Sequence, residues 1–195
     1  WADANDIYIL TGDGDSNLGD FGFVQGLDYI RPSIGVLKST DGGVTWNKTG
    51  DFGITGFYVC YKLVQNPNNA SSLIAATSQG LYRTTNGGIT WDLVSGDTAK
   101  YYDVEFKPGS TTVVYAASGN TFYISTNGGF SFTNQNNNFD VAIGSCTRIA
   151  IAVTPANANY VYVFAGYSDG NGNDFNKGVY RSTNSGDAFT QRTTS

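Results

Sequence analysis

The chain contains no histidine among its 195 residues. Ser-His-Asp catalysis, Cys-His catalysis and histidine-ligated zinc sites are therefore excluded. Charged residues are also scarce, at 14% of the total, and the formal net charge is −5 with the lysines and arginines scattered. Because proteins that bind nucleic acid concentrate basic side chains against the phosphates, no nucleic-acid partner is expected.

Long apolar runs and cysteines are few as well. No run of about 18 apolar residues occurs, so the sequence predicts no transmembrane segment. The two cysteines, Cys60 and Cys146, do not decide the compartment, because one pair is compatible with a disulfide or with two buried thiols. They fall in repeats that are separated by a whole further repeat, so we expect that they are not bonded to each other.

Aromatic and turn-forming residues are abundant, with 13 tyrosines, 12 phenylalanines and 25 glycines. This balance favours many short strands joined by polar turns. The turns include four gap-free copies of one motif, which we call the boxes: Ser39–Trp46, Thr84–Trp91, Ser125–Phe132 and Ser182–Phe189. Their starts lie 45, 41 and 57 residues apart, a spacing typical of a repeat architecture.

Each box reads as a β-hairpin turn. The Asp or Asn at its third position accepts hydrogen bonds from backbone N–H groups, the glycines supply positive φ angles, and the last aromatic residue packs against the sheet. Asn replaces Asp in three of the four copies, an exchange that suits a turn but not a catalytic acid. The predicted structural residues are Asp41, Trp46, Asn86, Trp91, Asn127, Phe132, Asn184 and Phe189.

Strands can be placed around each box. An apolar strand A, a turn with Pro67, Pro108 or Pro155, a strand B, a loop and a strand C precede the box, and a strand D follows it. Four antiparallel strands in about 45 residues form a propeller blade. The sequence therefore predicts an all-β propeller segment of 15 strands: blade one lacking strand A (1–50), blade two (51–96), blade three (97–136) and blade four (137–195). We expect this single segment to be part of a larger propeller protein.

The connections predict where a site could lie. In each blade the A–B and C–D turns share one face, the box face, and the B–C and D–A connections share the other, the loop face. B–C connections hold 22 residues in blade one (13–34) and 11 in blade four (167–177), but one residue each in blades two and three. Long loops on a rigid scaffold often carry binding residues, although they can also be passive insertions. The candidate ligand-binding residues are Asp20, Phe21, Phe23, Tyr29, Arg31, Tyr167 and Phe175.

The same two loops space oxygen-bearing side chains at every second position. Asp13, Asp15 and Asn17 do so in loop one, and Asp169, Asn171 and Asn173 do so in loop four. Alternating oxygen ligands in a glycine-rich loop favour calcium, whereas polar loops without metal are the plainer alternative. The sequence therefore requires no cofactor and suggests calcium as an optional one.

The boxes resemble those of the Asp-box, or BNR, propellers, which include sialidases, xyloglucan-active glycosidases and the sortilin luminal domain. Segments such as Ser33–Ser39 and Arg148–Pro155 resemble in sequence the strands of large secreted propellers of the Bacteroidetes that carry type IX sorting signals. The resemblance implies a secreted or cell-surface protein. In the xyloglucanases an Asp follows strand B of one blade, and Asp13 lies nearest to that position, whereas the second catalytic Asp has no counterpart here.

Two functions remain open. The first is a non-catalytic module that binds a protein or a polysaccharide at the cell surface through the loop face. The second, which the resemblance implies, is a glycoside hydrolase with Asp13 or Asp15 as one carboxylate and the rest of its site outside this segment. General acid–base chemistry needs two groups at a defined separation, and the chain offers no recognisable pair, so we favour binding. An architectural part of a large surface protein is a third reading.

Overall fold

The fold is all-β. The computed structural model describes residues 5–13, 32–143, 146–168 and 174–193, and these ranges hold fifteen strands in four separate antiparallel sheets. The predicted fold class, a β-propeller arc of about four blades, is confirmed. One 3-10 turn, Asn136–Asn138, is the only helical element in the described ranges. None of the described segments forms a helix with the length and apolar character to cross a bilayer.

Each sheet is a meander whose strands pair in chain order. Blade one consists of β1 (Ile7–Leu10), β2 (Val36–Ser39) and β3 (Asn47–Lys48). Blade two consists of β4 (Cys60–Asn66), β5 (Asn69–Thr77), β6 (Gly80–Thr84) and β7 (Asp92–Leu93). Blade three consists of β8 (Tyr101–Phe106), β9 (Val114–Ser118), β10 (Phe122–Ser125) and β11 (Thr133–Asn134). Blade four consists of β12 (Arg148–Val153), β13 (Val161–Ser168), β14 (Asp174–Ser182) and β15 (Thr190–Gln191).

The core lies between the blades. Strand β8 contacts both β4 and β12, so the first strands of blades two to four are the inner ones. In β5, Ala75 faces blade one and joins the cluster of Val36, Tyr58 and Trp91, whereas Ala76 faces blade three. Successive side chains of a strand point to opposite faces, and each of these faces is buried against a neighbouring sheet. Each middle blade therefore shares one half of its core with each neighbour.

Each box connects the last two strands of its sheet. In each box the amide N–H of the seventh residue donates to the Asp or Asn side-chain oxygen of the third, at 2.9 Å in Asp41 and at 3.0, 3.1 and 3.0 Å in Asn86, Asn127 and Asn184. The hydroxyl group of the first residue donates to the same oxygen and accepts a hydrogen bond from the N–H of the fifth. Asp and Asn satisfy this pattern equally, because one side-chain oxygen is enough to accept the backbone hydrogen bond.

The connection in blade four differs from the sequence expectation. Strands β13 and β14 continue into it, with Tyr167 paired to Phe175, and a register irregularity follows Ala165. The expected 11-residue loop is thus largely a longer hairpin, and the part between the strands is 169–173. The alternation of large side chains in this stretch lets the ladder extend. Residues 169–173 lie outside the described ranges.

The two cysteines are free and buried. Cys60 lies in the core between blades one and two, and Cys146 lies in the core between blades three and four. Burial raises the pKa of Cys60 to about 11, an effect that its hydrogen bond with Ser33 only partly offsets. This thiol is therefore protonated at neutral pH, so it is not a ready nucleophile.

Candidate functional site

Two inner strands contain a β-bulge at the same place. In β4, Cys60 pairs with Thr77 and Lys62 with Ala76, so Tyr61 is an extra residue. In β8, Tyr101 pairs with Ser118 and Asp103 with Ala117, so Tyr102 is the extra residue. A bulge redirects the side chain of the extra residue, and bulges are common beside binding and active sites. Both bulges lie where the strand begins, which is the loop face.

The two bulge residues form a cluster with an arginine from blade four. The ring centroids of Tyr61 and Tyr102 lie 4.8 Å apart, with an interplanar angle of 60°. The Arg148 guanidinium carbon lies 4.7 Å from the centroid of Tyr102 and 6.0 Å from that of Tyr61. All three side chains are half-buried. We call these three residues the tyrosine–arginine cluster; it joins the loop-face ends of blades two, three and four.

An ion network links blades two and three beside this cluster. The Lys62 Nζ donates to Asp103 Oδ1 at 2.7 Å and to Glu105 Oε1 at 2.6 Å. The other Asp103 oxygen accepts the backbone N–H of Ile151 in blade four, at 2.6 Å. Burial alone would lower the pKa of Lys62, but its hydrogen bonds to the two carboxylates outweigh burial and raise the pKa. One ammonium group therefore holds both acids, and Asp103 acts as a bridge across three blades.

This network bears on acid catalysis. Glu105, the only glutamate of the chain, is ion-paired to Lys62. Asp103 uses both carboxylate oxygens in contacts within the protein. The network therefore explains these acids as structural groups that hold the inner strands together.

The candidate loop residues divide into two groups. Ten lie outside the described residues: Asp15, Asn17, Asp20, Phe21, Phe23, Tyr29, Arg31, Asp169, Asn171 and Asn173. Asp13 is exposed and lies three residues after the end of β1. Tyr167 and Phe175 stack on each other at the ends of β13 and β14, with ring centroids 4.9 Å apart and an interplanar angle of 18°.

The backbone brings the two ends of loop one and the aromatic pairs to one face. The Thr11 hydroxyl donates to the Gly35 carbonyl at 2.6 Å, which joins the two ends of loop one. The N–H of Ser33 donates to the Tyr58 carbonyl at 2.8 Å, just before β4 begins. In blade four Arg148 pairs with Gly166, the residue before Tyr167. Asp13, the tyrosine–arginine cluster and the Tyr167–Phe175 stack therefore all lie on the loop face.

The candidate residues predicted from the sequence did not include Tyr61, Tyr102, Arg148, Lys62 or Asp103. A usable signal was present, because the offset of 41 between the boxes of blades two and three aligns Tyr61 with Tyr102 and Lys62 with Asp103. Opposite charges at one aligned position predict an ion pair between neighbouring repeats. Within the described ranges, no three His, Cys, Asp or Glu side chains come together as metal ligands.

Known proteins similar to this chain include xyloglucanases. No protein-family model matches the chain. A xyloglucanase of Hypocrea jecorina (strain QM6a) is 31% identical over 162 residues, which are 82% of this chain and 17% of that protein. The crystal structure of an ancestral GH74 enzyme superimposes with a TM-score of 0.66 at 26% identity, over 81% of this chain and 21% of that one.

A GH74 xyloglucanase from Xanthomonas campestris has the same fold, with a TM-score of 0.51 and 20% identity over 85% of this chain and 29% of that one. The chain thus spans between a sixth and a third of the length of these proteins. These likenesses and the four sheets lead to one conclusion: the chain is a β-propeller segment similar in sequence and in fold to part of a xyloglucanase.

Proposed function

We propose that the chain binds a polysaccharide through its loop face, without catalysis, as a secreted or cell-surface module. The observation that carries the proposal is the tyrosine–arginine cluster. Its two bulge residues, Tyr61 and Tyr102, lie together at the loop-face ends of the inner strands β4 and β8. Tyrosine offers an apolar ring for the faces of sugars and a hydroxyl group for their polar edges. Arg148 adds hydrogen-bond donors for sugar hydroxyl groups. The similarity to a xyloglucanase supports a polysaccharide over a protein ligand.

The Tyr167–Phe175 stack extends this surface in blade four. Phe175 is 43% exposed, so part of its ring is open to a ligand. A chain of sugars could then contact both aromatic groups, because they lie at the same end of neighbouring sheets. The arrangement suits an extended ligand better than a single sugar.

Calorimetric titration with xyloglucan oligosaccharides tests the proposal. We expect Tyr102→Ala to weaken binding by at least about tenfold, since aromatic anchors dominate the binding energy at such surfaces. Tyr160→Ala is the matched control, because Tyr160 also lies beside a tyrosine and an arginine, Tyr162 and Arg181, but outside the cluster. Equal loss in both variants, or no binding by the unmodified chain, would contradict the proposal.

A glycoside hydrolase is the second candidate. Its support is the 31% identity to a xyloglucanase together with the exposed position of Asp13. Release of reducing sugars from xyloglucan by the chain, abolished in Asp13→Asn, would favour it. Binding that persists in Asp13→Asn without any release of sugars favours the module.

Calcium remains an optional ligand in this proposal, with Asp13, Asp15 and Asn17 as its candidate ligands. A ligand that binds only the folded chain raises the melting temperature. Calcium chloride should then raise it, and Asp15→Ala should remove the rise. An identical melting temperature with calcium and with chelator would end the calcium hypothesis.

A further inference from the structure

Two cations lie against the ring of Tyr102. The Arg148 guanidinium carbon is 4.7 Å from the ring centroid, and the Lys100 Nζ is 5.7 Å from it. Arg148 is half-buried, whereas Lys100 is exposed and directly precedes β8 at the loop face. The negative face of an aromatic ring attracts each cation, but the two cations repel each other. One ring of the tyrosine–arginine cluster therefore holds two like charges near each other.

The Lys100 ammonium group has no carboxylate beside it in the part of the chain that the structure describes. None of the ion pairs formed there includes Lys100. Asp97, the nearest preceding acid in the sequence, accepts the backbone N–H of Ala99 at 3.2 Å instead. This hydrogen bond fixes the turn that leads into Lys100. A positive charge is thus presented on the loop face from an ordered connection.

The acids that follow Tyr102 in β8 belong to the ion network. Asp103 and Glu105 both contact the Lys62 ammonium group, at 2.7 and 2.6 Å. The second Asp103 oxygen accepts the backbone N–H of Ile151. Both acids next to the tyrosine–arginine cluster are therefore held by Lys62, and neither forms an ion pair with Lys100.

This arrangement suits a sugar that carries a carboxylate. The rings of Tyr61 and Tyr102 can pack against the face of a sugar. A guanidinium group directs its N–H donors outward in its own plane, and a carboxylate accepts a pair of them in a forked geometry. A carboxylate on a sugar that packs on the tyrosines would place a negative charge beside two cations and relieve their repulsion.

We propose that the polysaccharide bound by the loop face contains uronic acids, whose carboxylates bind Arg148 and Lys100. This inference rests on the proposed function and adds the chemical class of the ligand to it. Arg148 supplies the forked hydrogen bonds, and Lys100 supplies a second, exposed positive charge. The formal net charge of −5 repels an acidic polysaccharide, so the preference for carboxylates is local to these two cations.

Three forms of one xyloglucan oligosaccharide, compared by calorimetric titration, test the ligand class. They are the native form, a form whose primary hydroxyl groups are oxidised to carboxylates, and the methyl ester of the oxidised form. We expect the oxidised form to bind at least about tenfold more tightly than either neutral form, because hydrogen bonds to charged groups are the stronger ones. The advantage should shrink as the salt concentration rises from about 0.01 M to about 1 M, since salt screens exposed charges.

Two lysine variants assign the preference to the cluster. Lys100→Met should weaken binding of the oxidised form by about threefold and leave binding of the methyl ester unchanged, because it removes one exposed ion pair. Lys48→Met is the matched control, since it removes the same charge from an exposed lysine of blade one that lies outside the cluster. It should leave the preference for the oxidised form unchanged.

The outcomes separate this inference from the proposed function. Equal affinities for the three forms, or equal effects of Lys100→Met and Lys48→Met on binding of the oxidised form, would overturn the uronic-acid ligand and leave polysaccharide binding intact. Absence of binding by all three forms would contradict both.

Discussion

Tyr61 and Tyr102 occupy the same bulge position in two neighbouring blades, and their ring centroids lie 4.8 Å apart. Neither residue has a regular partner on strand B, because each is the extra residue of its strand. The pairing of β12 with β13 in blade four has no such irregularity, and Arg148 there pairs regularly with Gly166. The aromatic surface is therefore produced by a departure from the regular sheet in two of the blades.

The Lys62 network predicts a clear difference between two lysine variants. Lys62→Met should destabilise the fold by about 1–3 kcal/mol, because it leaves the buried Asp103 carboxylate without its cation. Lys48→Met is the control, since Lys48 pairs with Asp51 at the surface, where an ion pair contributes at most about 1 kcal/mol. Urea denaturation of both variants measures the difference, and equal losses would contradict the structural role of Lys62.

We expect Asp41 to contribute to the stability of the fold in a way that changes with pH in the acid range. Hydrogen bonds from the Thr45 hydroxyl, the Thr45 amide and the Ser39 hydroxyl lower its pKa from 3.8 to about 2. Since the folded-state pKa lies below the unfolded value, the contribution is present above pH 3.8 and is lost as the pH falls towards 2. Asp41→Asn should remove this dependence and preserve the box, as Asn does in the other three copies. NMR titration of the carboxyl group checks the pKa directly.

Tyr115 predicts an effect at alkaline pH. Burial raises the pKa of this tyrosine, whose hydroxyl donates to the Ser185 backbone carbonyl at 3.1 Å, from 10.0 to about 12, and a smaller interaction with the Ser185 side chain lowers it. A folded-state pKa above the unfolded one gives stability that is complete below pH 10 and lost as the pH approaches 12. Tyr115→Phe should weaken this alkaline dependence and cost about 1 kcal/mol at neutral pH through the lost hydrogen bond.

Tyr162→Phe is the control for this variant, because Tyr162 occupies the equivalent position in blade four. It should change the free energy of unfolding by less than about 0.5 kcal/mol. Guanidinium denaturation across the pH range gives both quantities. Indistinguishable curves for the two variants would show that the contact with Ser185 contributes nothing.

We expect a side chain added at Gly129 to lower the free energy of unfolding, because it would crowd the interface between blades two and three. A Cβ at Gly129 would meet the Ile74 side chain of blade two, and the residue has a φ of +83°. At Gly96, with a φ of +77°, nothing lies within 4 Å. Gly96→Ala should cost about 1–2 kcal/mol from backbone strain alone, and Gly129→Ala about 1–3 kcal/mol more from overpacking.

A double variant checks the cause. Ile74→Val removes the methyl group that the new Cβ would meet, so it should cost less in the Gly129→Ala background than in the unmodified chain. Thermal unfolding of the four proteins measures this coupling. Strictly additive effects would place the strain elsewhere.

The fold was predictable from the sequence because its signals are local. Each box carries its own turn residues, and the apolar runs beside Pro67, Pro108 and Pro155 fall in strands or next to them. The two bulges were not predictable in this way, because an extra residue becomes visible only when a strand is paired with its neighbour. The Lys62–Asp103 contact joins residues 41 positions apart, so it required the repeats to be aligned against one another.

The connection in blade four shows a further limit. Counting residues between aligned positions gave a loop, but the side chains in that stretch support a longer hairpin with Tyr167 opposite Phe175. The length of a connection therefore does not measure the length of its loop.

Placing the core between the sheets has a consequence for cooperativity. Ala75 and Ala76, adjacent in one strand, contribute to two different apolar clusters, so no single blade encloses a complete core of its own. Each blade is then stable mainly through its nearest neighbours, as in a one-dimensional array. In this 195-residue segment taken by itself, amide hydrogen exchange should accordingly be slowest in blades two and three, which each contact a described sheet on both sides.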